Sequence, residues 1–255
     1  MVTPVVLTYN EDRNIGSTLS SLAWAAHVVV LDSGSTDRTH EIASSFGNVS
    51  WIARTFDNHR SQWEYAIHET GIETEYVLAL DADMRSPDGF YREVESFVKN
   101  GSFAGAYIPF EYHVLGRRLL GSIYPPQLRL FRKSEVFIRQ PGHSQVFEIN
   151  GPIYRFHSCL IHEDRKPLDR WLSNQIKYAA LEAERIQNAP RANLKNALRR
   201  AGLSPLIVGI YAYVRAGGVL NSRAARAYGA ERLIFEALLA RSLATGVQQS
   251  SSKSL

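Results

Sequence analysis

The sequence predicts an α/β protein in which a doubly wound parallel sheet carries helices on both faces and is followed by a helical C-terminal extension. Three observations predict this class. The first hundred residues alternate between short β-branched runs and segments of helical periodicity. Polar clusters follow three of the runs, as they do at the carboxyl edge of a parallel sheet. From residue 166 onward the periodicity is helical.

Four strands alternate with four helices before residue 101. The strands are predicted at VTPVVLTYN, HVVVLDS, VSWIART and EYVLALDAD. The second and fourth runs are apolar enough to be buried on both faces. Helices are predicted at NIGSTLSSLAWA, TDRTHEIASSF, NHRSQWEYAIHET and SPDGFYREVESFVKN. In the last helix Ser86 is expected to be the cap, with Pro87 in the first turn.

The alternation of strand-like and helix-like residue patterns ends near residue 100. FAGAYIPFEYHVLG and LRLFRKSEVFIR predict further strands, and four helical segments follow them. We therefore predict a ligand-binding and catalytic domain over 1–165, a helical extension over 166–245 that faces a substrate or a membrane, and a flexible tail over 246–255.

Composition is that of a globular protein, because 45% of the 255 residues are apolar and 21% are charged. The single cysteine, Cys159, excludes an intramolecular disulfide and a cysteine-based zinc site. The net charge of +4 is unevenly distributed, since residues 1–164 carry −6 and residues 165–255 carry +10. The basic C-terminal third favours an anionic neighbour, whereas the acidic front argues against nucleic acid as a partner.

The expected location is cytoplasmic. A strand-like run begins at Val2 with no basic leader, and no apolar stretch reaches the ~20 residues that span a bilayer. The segment LSPLIVGIYAYV, residues 203–214, is flanked by arginines. Two interpretations stay open for it: a buried helix that closes the domain, or a helix in peripheral contact with the inner face of the membrane.

The motif LALDAD carries the sharpest chemical signal. Asp81 and Asp83 stand two residues apart after an apolar strand, so both carboxylates can reach one divalent cation. Mn²⁺ and Mg²⁺ prefer carboxylate, water and phosphate oxygens, and such an ion neutralises a diphosphate leaving group. The structural alternative is that the two acids end the strand and cap the next helix.

Two more polar clusters are expected at the same edge. In LDSGSTD, Asp32 is suited to accept hydrogen bonds from a base or a ribose, and Ser33 and its neighbours let a ligand approach the backbone. In TYNE, Thr8 is placed to shape a base pocket, whereas Asn10 and Glu11 either contact nucleotide or only cap the helix.

Two other nucleotide-binding classes lack their motifs. Residues 9–16 contain no G-x-G-x-x-G, so a dinucleotide-dependent oxidoreductase is not indicated. The GxxxxGK[ST] loop of P-loop proteins is also absent from the sequence.

The segments TYNEDRNIGSTLSSL, VVVLDSGSTDRTHEIA and LALDADMRSP, in this order and spacing, resemble family 2 glycosyltransferases with the GT-A fold. The resemblance is strongest to lipopolysaccharide core and related cell-envelope transferases. It implies inverting transfer of a sugar from a nucleotide sugar to a glycan or lipid-linked hydroxyl, assisted by Mn²⁺ or Mg²⁺. It implies nucleotide-sugar-binding roles for one set of residues: Thr8, Tyr9, Asn10, Glu11, Asp32, Ser33, Gln62 and Asp81. It implies metal-binding roles for Asp83 and Asp81.

The catalytic base is the open question. Related transferases carry a His-Glu pair where this chain has PGHSQ, so His143 is one candidate. Glu163 and Asp164 form an acidic pair downstream and are the others, although Asp164 could also cap the following helix. Because of the altered PGHSQ, a non-catalytic nucleotide-sugar-binding protein of the same fold is the alternative function.

The segment RLFRK supplies two further candidates. Arg129 and Arg132 are expected either to contact acceptor or phosphate, for which a guanidinium is suited, or to lie on a solvated strand face.

Overall fold

A computed structural model describes residues 1–140, 145–189 and 193–245, and over these residues the chain forms two compact units. The first unit comprises residues 1–118, 124–140 and 145–166. The second comprises 119–123, 167–189 and 193–245. The predicted tail over 246–255 lies outside the described residues, and the predicted domain boundaries stay predictions.

The first unit is built on a seven-stranded, mostly parallel sheet in the order β12-β6-β9-β4-β1-β2-β3. Its strands are β1 (Val2–Thr8), β2 (Val28–Asp32), β3 (Val49–Ala53), β4 (Tyr76–Asp81), β6 (Gly105–Ile108), β9 (Gln127–Arg132) and β12 (Ile153–Arg155). Helices connect the first four strands and follow the fourth: α1 (Ile15–Ser21), α2 (Thr39–Ala43), α3 (His59–His68) and α4 (Phe90–Asn100). The predicted α/β class is therefore confirmed.

The central strands are buried on both faces, as their unbroken apolar runs predict. One side of the sheet packs on α1 and α4, where Leu19 and Phe97 contribute to a core that includes Leu80. The other side packs on α3, where Trp63 belongs to the core that contains Leu31. All five residues of β2 are buried. Burial of this kind, at about 25 cal/mol per Å² of apolar surface, fixes the positions of the strand ends.

Smaller elements complete the first unit. A four-stranded sheet has the order β5-β13-β7-β8, and a separate hairpin pairs β10 with β11. These strands are β5 (Met84–Arg85), β7 (Phe110–Val114), β8 (Arg117–Arg118), β10 (Val136–Arg139), β11 (Val146–Ile149) and β13 (Leu160–His162).

Helix α4 begins later than predicted. Gly89 is its N-cap, with a φ of 80° that a residue with a side chain rarely adopts. The helix therefore cannot continue upstream, and Pro87 lies before it rather than in its first turn. The hydroxyl of Ser86 donates to the carbonyl of Ser21 instead of capping the helix.

The second unit is helical over its described residues, apart from the segment 119–123. It contains α5 (Leu168–Gln187), α6 (Leu194–Arg200), α7 (Ser204–Arg215) and α8 (Ser222–Thr245), with a single 3-10 turn over Gly218–Asn221. No helix in the described ranges is long and apolar enough to cross a membrane.

A buried ion cluster joins three of these helices. Arg199 of α6 donates to Glu236 of α8 through Nε at 3.0 Å and to Glu182 of α5 through Nη1 at 2.8 Å. Arg185 also donates to Glu182, at 2.7 Å. Arg199, Glu182 and Glu236 are all buried, and the Arg199 guanidinium bridges the two carboxylates, of which Glu182 also has Arg185 as a partner.

Replacing Arg199 with methionine should lower the free energy of unfolding by about 3–5 kcal/mol, because buried Glu236 loses its ion-pair partner and buried Glu182 keeps only Arg185. Urea titration followed by circular dichroism measures the change. Arg241→Met, at an exposed position of α8, is the matched control and should shift the free energy by less than about 0.5 kcal/mol. Equal stability of the two variants would show that the cluster contributes nothing. Arg199→Lys keeps the charge and should fall between them.

Candidate functional site

Three strand ends meet at one edge of the large sheet. In the register of the parallel strands, Thr8 of β1 lies beside Asp32 of β2, and Leu7 lies beside Asp81 of β4. Neighbouring strands are about 4.8 Å apart. The three polar clusters of the sequence therefore stand side by side at the carboxyl edge, where α/β sheets bind ligands.

The loops after β1 and β2 are tied together by hydrogen bonds. Asp32 is buried, and its Oδ2 accepts the backbone N–H groups of Gly34 and Ser35 at 2.9 and 2.8 Å. Asn10 has a φ of 54°, and its side-chain oxygen accepts the N–H of Thr36 at 2.7 Å. The N–H of Asn10 in turn donates to the hydroxyl of Ser35 at 2.7 Å. Asp32 and Asn10 thus hold the two loops together as one wall at the edge of the sheet.

Gln62 of α3 belongs to the same wall. Its side chain is fully buried, its amide Nε2 donates to the hydroxyl of Ser33 at 2.9 Å, and its carbonyl oxygen accepts from Arg54. Ser33 also donates its N–H to the carbonyl of Thr8 at 3.0 Å. Gln62 is therefore brought to the loop after β2. Tyr9, which directly follows β1, is half exposed.

Asp81 and Asp83 face different partners. The half-exposed Asp81 accepts a hydrogen bond from Arg129 of β9 at 3.1 Å. Arg129 is itself buried and reaches the edge, so it does not lie on a solvated strand face. Arg132 does not reach the edge, because β9 runs antiparallel to β4 and pairs Arg132 with Tyr76 at the opposite end of the strand. There its guanidinium contacts Glu75 at 2.8 Å.

Asp83 lies mostly buried between the side chains of His162 and Lys166. Its Oδ1 is 3.7 Å from Nε2 of His162, and its Oδ2 is 3.4 Å from Nζ of Lys166. Burial by itself raises the pKa of Asp83, but the charges of His162 and Lys166 outweigh burial and hold that pKa below its ordinary value. Asp83 is therefore ionised at neutral pH.

Lys166 contacts three carboxylates that are distant from one another in the sequence. Its ammonium lies 2.8 Å from Glu11, 3.0 Å from Asp164 and 3.4 Å from Asp83. Burial lowers the pKa of Lys166, but the three carboxylates raise it well above its ordinary value. Burial, opposed by Lys166, raises the pKa of Glu11 to about 7. The cluster therefore holds a fixed ammonium at the sheet edge.

The two acids of the downstream pair have different environments. Glu163 is buried, and its Oε2 accepts from Arg85 at 3.0 Å and from Arg165 at 2.6 Å. Burial raises the pKa of Glu163, but Arg165 and Arg85 lower it below its ordinary value. Asp164 is more exposed, and its Oδ1 accepts both the backbone N–H and the ammonium of Lys166.

Asp164 is the better placed of these two acids to accept a proton. In the described part of the chain its Oδ2 accepts no hydrogen bond, and helix α5 has no side-chain cap, so Asp164 does not have the capping role. The third candidate, His143, lies outside the described residues.

The residues around Asp83 fit a divalent cation. Its Oδ1 is buried and accepts no hydrogen bond, and the imidazole nitrogen of His162 lies close enough to share an ion with it. Among the described residues no group of three or more metal-binding side chains occurs. Mg²⁺ and Mn²⁺ at nucleotide sites need only one or two carboxylates, since phosphate and water supply the remaining ligands.

Two side chains of the site, Lys166 and His162, were not predicted from the sequence and are identified only by the structure. Lys166 lies 155 residues from Glu11 in the sequence and 83 from Asp83, so no local spacing connects them. His162 stands next to the acidic pair, and this adjacency was the one available signal.

Residues 4–157 match the family model described as Glycosyl transferase family 2. Among characterised proteins, the lipopolysaccharide core biosynthesis glycosyltransferase LpsC of Rhizobium meliloti (strain 1021) is 23% identical over 258 residues. That alignment covers 87% of this chain and 93% of LpsC.

Two solved structures share the fold. TarS 1-349 of S. aureus, in complex with UDP-GlcNAc, superposes with a TM-score of 0.54 at 15% identity, over 96% of this chain and 92% of the other. The mannosyltransferase PcManGT of Pyrobaculum calidifontis, in complex with GDP-Man and Mn²⁺, gives 0.51 at 14% identity, over 95% and 86%. At this identity the similarity establishes the GT-A architecture.

Proposed function

The chain belongs to glycosyl transferase family 2, and from this premise we propose that it is an inverting, metal-assisted transferase that moves a sugar from a nucleotide sugar to a hydroxyl of a glycan or lipid-linked acceptor. The observation that carries the proposal is the meeting of Asp32, Asp83 and Asp164 in one unit. A nucleotide-binding wall, a cation site and a carboxylate with one oxygen available for a proton are the three parts that such a transfer needs.

The nucleotide is assigned to the wall formed by Asp32, Asn10 and Gln62. Thr8 supports this assignment, since its buried hydroxyl oxygen has no hydrogen-bond partner among the described residues. The complexes of TarS with UDP-GlcNAc and of PcManGT with GDP-Man are relatives that bind nucleotide sugars. Arg129, buried beside Asp81, is suited to a phosphate oxygen.

Asp83 and His162 would hold the cation, which supplies positive charge to the diphosphate as it leaves. Lys166 adds a fixed positive charge beside Asp83, and it positions Asp164 through two hydrogen bonds. Charge that is already in place when the diphosphate departs lowers the barrier without reorganisation at the moment of reaction.

Asp164 is proposed as the general base. Its Oδ2 takes the proton of the acceptor hydroxyl as the hydroxyl oxygen attacks C1 of the donor sugar. The bond from C1 to the diphosphate oxygen breaks, and its electron pair stays on the nucleoside diphosphate. Attack opposite to the leaving group inverts the configuration at C1.

An aromatic pair supports a sugar acceptor. Tyr112 stacks on Tyr124 with ring centroids 5.3 Å apart, and the ring of His162 lies 4.8 Å from Tyr112. An aromatic face beside His162 is suited to the apolar face of a sugar ring. The similarity to LpsC favours an acceptor in cell-envelope polysaccharide or lipopolysaccharide core synthesis.

Calorimetric titration with a panel of nucleotide sugars, with and without Mn²⁺, tests the proposal. We expect one donor to bind at least tenfold more tightly with Mn²⁺, and its nucleoside diphosphate to be released when a glycan acceptor is added. Binding without release across a broad acceptor panel would instead identify the non-catalytic nucleotide-sugar-binding protein. Failure of every nucleotide sugar to bind would refute both functions.

A further inference from the structure

Helix α7 of the second unit is apolar on its outer side. We define the α7 outer face as six exposed side chains that recur at helical spacing: Leu203, Leu206, Ile207, Ile210, Tyr211 and Val214. Their exposed fractions lie between 50 and 66%. A helix on the surface of a soluble protein ordinarily turns its large apolar residues inward, so this face has the reverse polarity.

The inner side of α7 explains this polarity. It carries small residues, and the Cβ that an alanine at Gly209 would add lies 3.0 Å from Leu233 of α8. The same position lies 3.3 Å from the carbonyl of Gly229. The two helices therefore pack too closely for a large side chain between them, and the large residues of α7 point outward.

The apolar surface continues beyond the helix. Val219 and Leu220, in the 3-10 turn, are 81 and 86% exposed. Leu120 is also exposed and lies against Gly217, and its N–H donates to the carbonyl of Ala216. Side chains this exposed at the tip of a turn make few contacts with their own unit.

The charge of the residues in and around α7 indicates what kind of partner this surface binds. Residues 194–230 contain six basic residues and no acidic one. Arg200, Arg215, Arg223 and Arg226 are exposed. A second copy docked through this segment by a two-fold axis would bring its positive charges together, which electrostatic repulsion disfavours. An anionic lipid surface complements both the apolar residues and the arginines.

We propose that the α7 outer face, with Leu120, Val219 and Leu220, docks the protein on the surface of an anionic lipid bilayer. Helix α7 has 12 residues and is about 18 Å long, which is shorter than the hydrocarbon thickness. It therefore lies in the plane of the interface, with its large side chains among the acyl chains and the arginines at the headgroups. The inference goes beyond the transfer reaction, because no residue of the proposed active site takes part.

Vesicle sedimentation with the full-length protein tests the proposal. We expect the protein to sediment with vesicles of phosphatidylethanolamine and phosphatidylglycerol, and to stay in the supernatant with phosphatidylcholine alone. Ile207→Ser combined with Ile210→Ser should weaken binding at least tenfold. Leu168→Ser combined with Ile176→Ser changes exposed apolar residues of α5 and is the matched control, which should bind as the wild type does.

A charge variant provides an independent measurement. Arg223→Glu combined with Arg226→Glu should weaken binding to the anionic vesicles by about fivefold or more per residue, and added salt should reproduce part of this loss. Nucleotide-sugar titration of the same variants separates loss of docking from loss of donor binding, which we expect to be unchanged.

Three outcomes would overturn the proposal. The wild type could fail to bind either kind of vesicle, or the α7 variant could bind as tightly as the wild type. Alternatively, light scattering could reveal a dimer that the α7 variant abolishes while vesicle binding is absent, which would identify the face as a self-association surface.

Discussion

Asp83→Asn should lower kcat on the order of 10³-fold while the protein stays folded. The substitution keeps the shape of the side chain but removes the charge that faces His162 and Lys166. The amide has one oxygen instead of two and no negative charge, so a divalent cation is held weakly. Steady-state release of nucleoside diphosphate at saturating Mn²⁺ measures kcat, and circular dichroism verifies the fold.

The control for this variant is Asp88→Asn, an exposed aspartate shortly after Asp83 in the chain. We expect this control to retain wild-type kcat and Mn²⁺ dependence. Full activity of Asp83→Asn would refute the proposed cation site, whichever residue is the catalytic base. Loss of activity together with loss of helical signal would assign Asp83 a structural role instead.

Asp164→Asn should lower kcat by about 10²- to 10⁴-fold, with little change in donor affinity. Only the transfer of the acceptor proton is lost, because the amide still accepts hydrogen bonds from Lys166 at one oxygen. Donor affinity by calorimetry and kcat by diphosphate release together separate a base from a binding residue.

Glu163→Gln is the matched comparison, since the same isosteric change is made one position earlier. Arg85 and Arg165 hold Glu163, so its substitution should lower the free energy of unfolding by about 1.5 kcal/mol and change kcat by less than tenfold. The reverse ranking of the two variants would make Glu163 the base. If neither variant slows transfer, the role passes to His143.

The sequence predicted the architecture well where one physical cause dominates. Strands β2 and β4 are apolar up to their last residue because both of their faces are buried, and this leaves a local signature. Parallel pairing then puts their polar ends at the same edge, so the proximity of Asp32 and Asp81 could be deduced without a structure. The length of α2 could not, since only five of the eleven predicted residues are helical.

The remaining differences arise from tertiary contacts. The direction of β9 decides that Arg129 reaches Asp81 while Arg132 points to the far end of β4, and local sequence carries no signal for strand direction. The ammonium of Lys166 meets Glu11 and Asp83 only through the fold. For α7 the sequence left open whether its large apolar side chains are buried or exposed. The close packing of Gly209 against Gly229 and Leu233 of α8 decides that they are exposed.

The hydrogen bonds from Thr36 to Asn10 and from Asn10 to Ser35 have a consequence for how a donor would bind. They lock two loops before any ligand arrives, so association requires little loss of backbone entropy. The donor should then bind to a preorganised site without rearrangement of these loops, with a fast on-rate and a small heat-capacity change. Asn10→Ala removes the side-chain oxygen that accepts a hydrogen bond from Thr36. We therefore expect a lower association rate constant for the donor, even if the final complex has the same contacts.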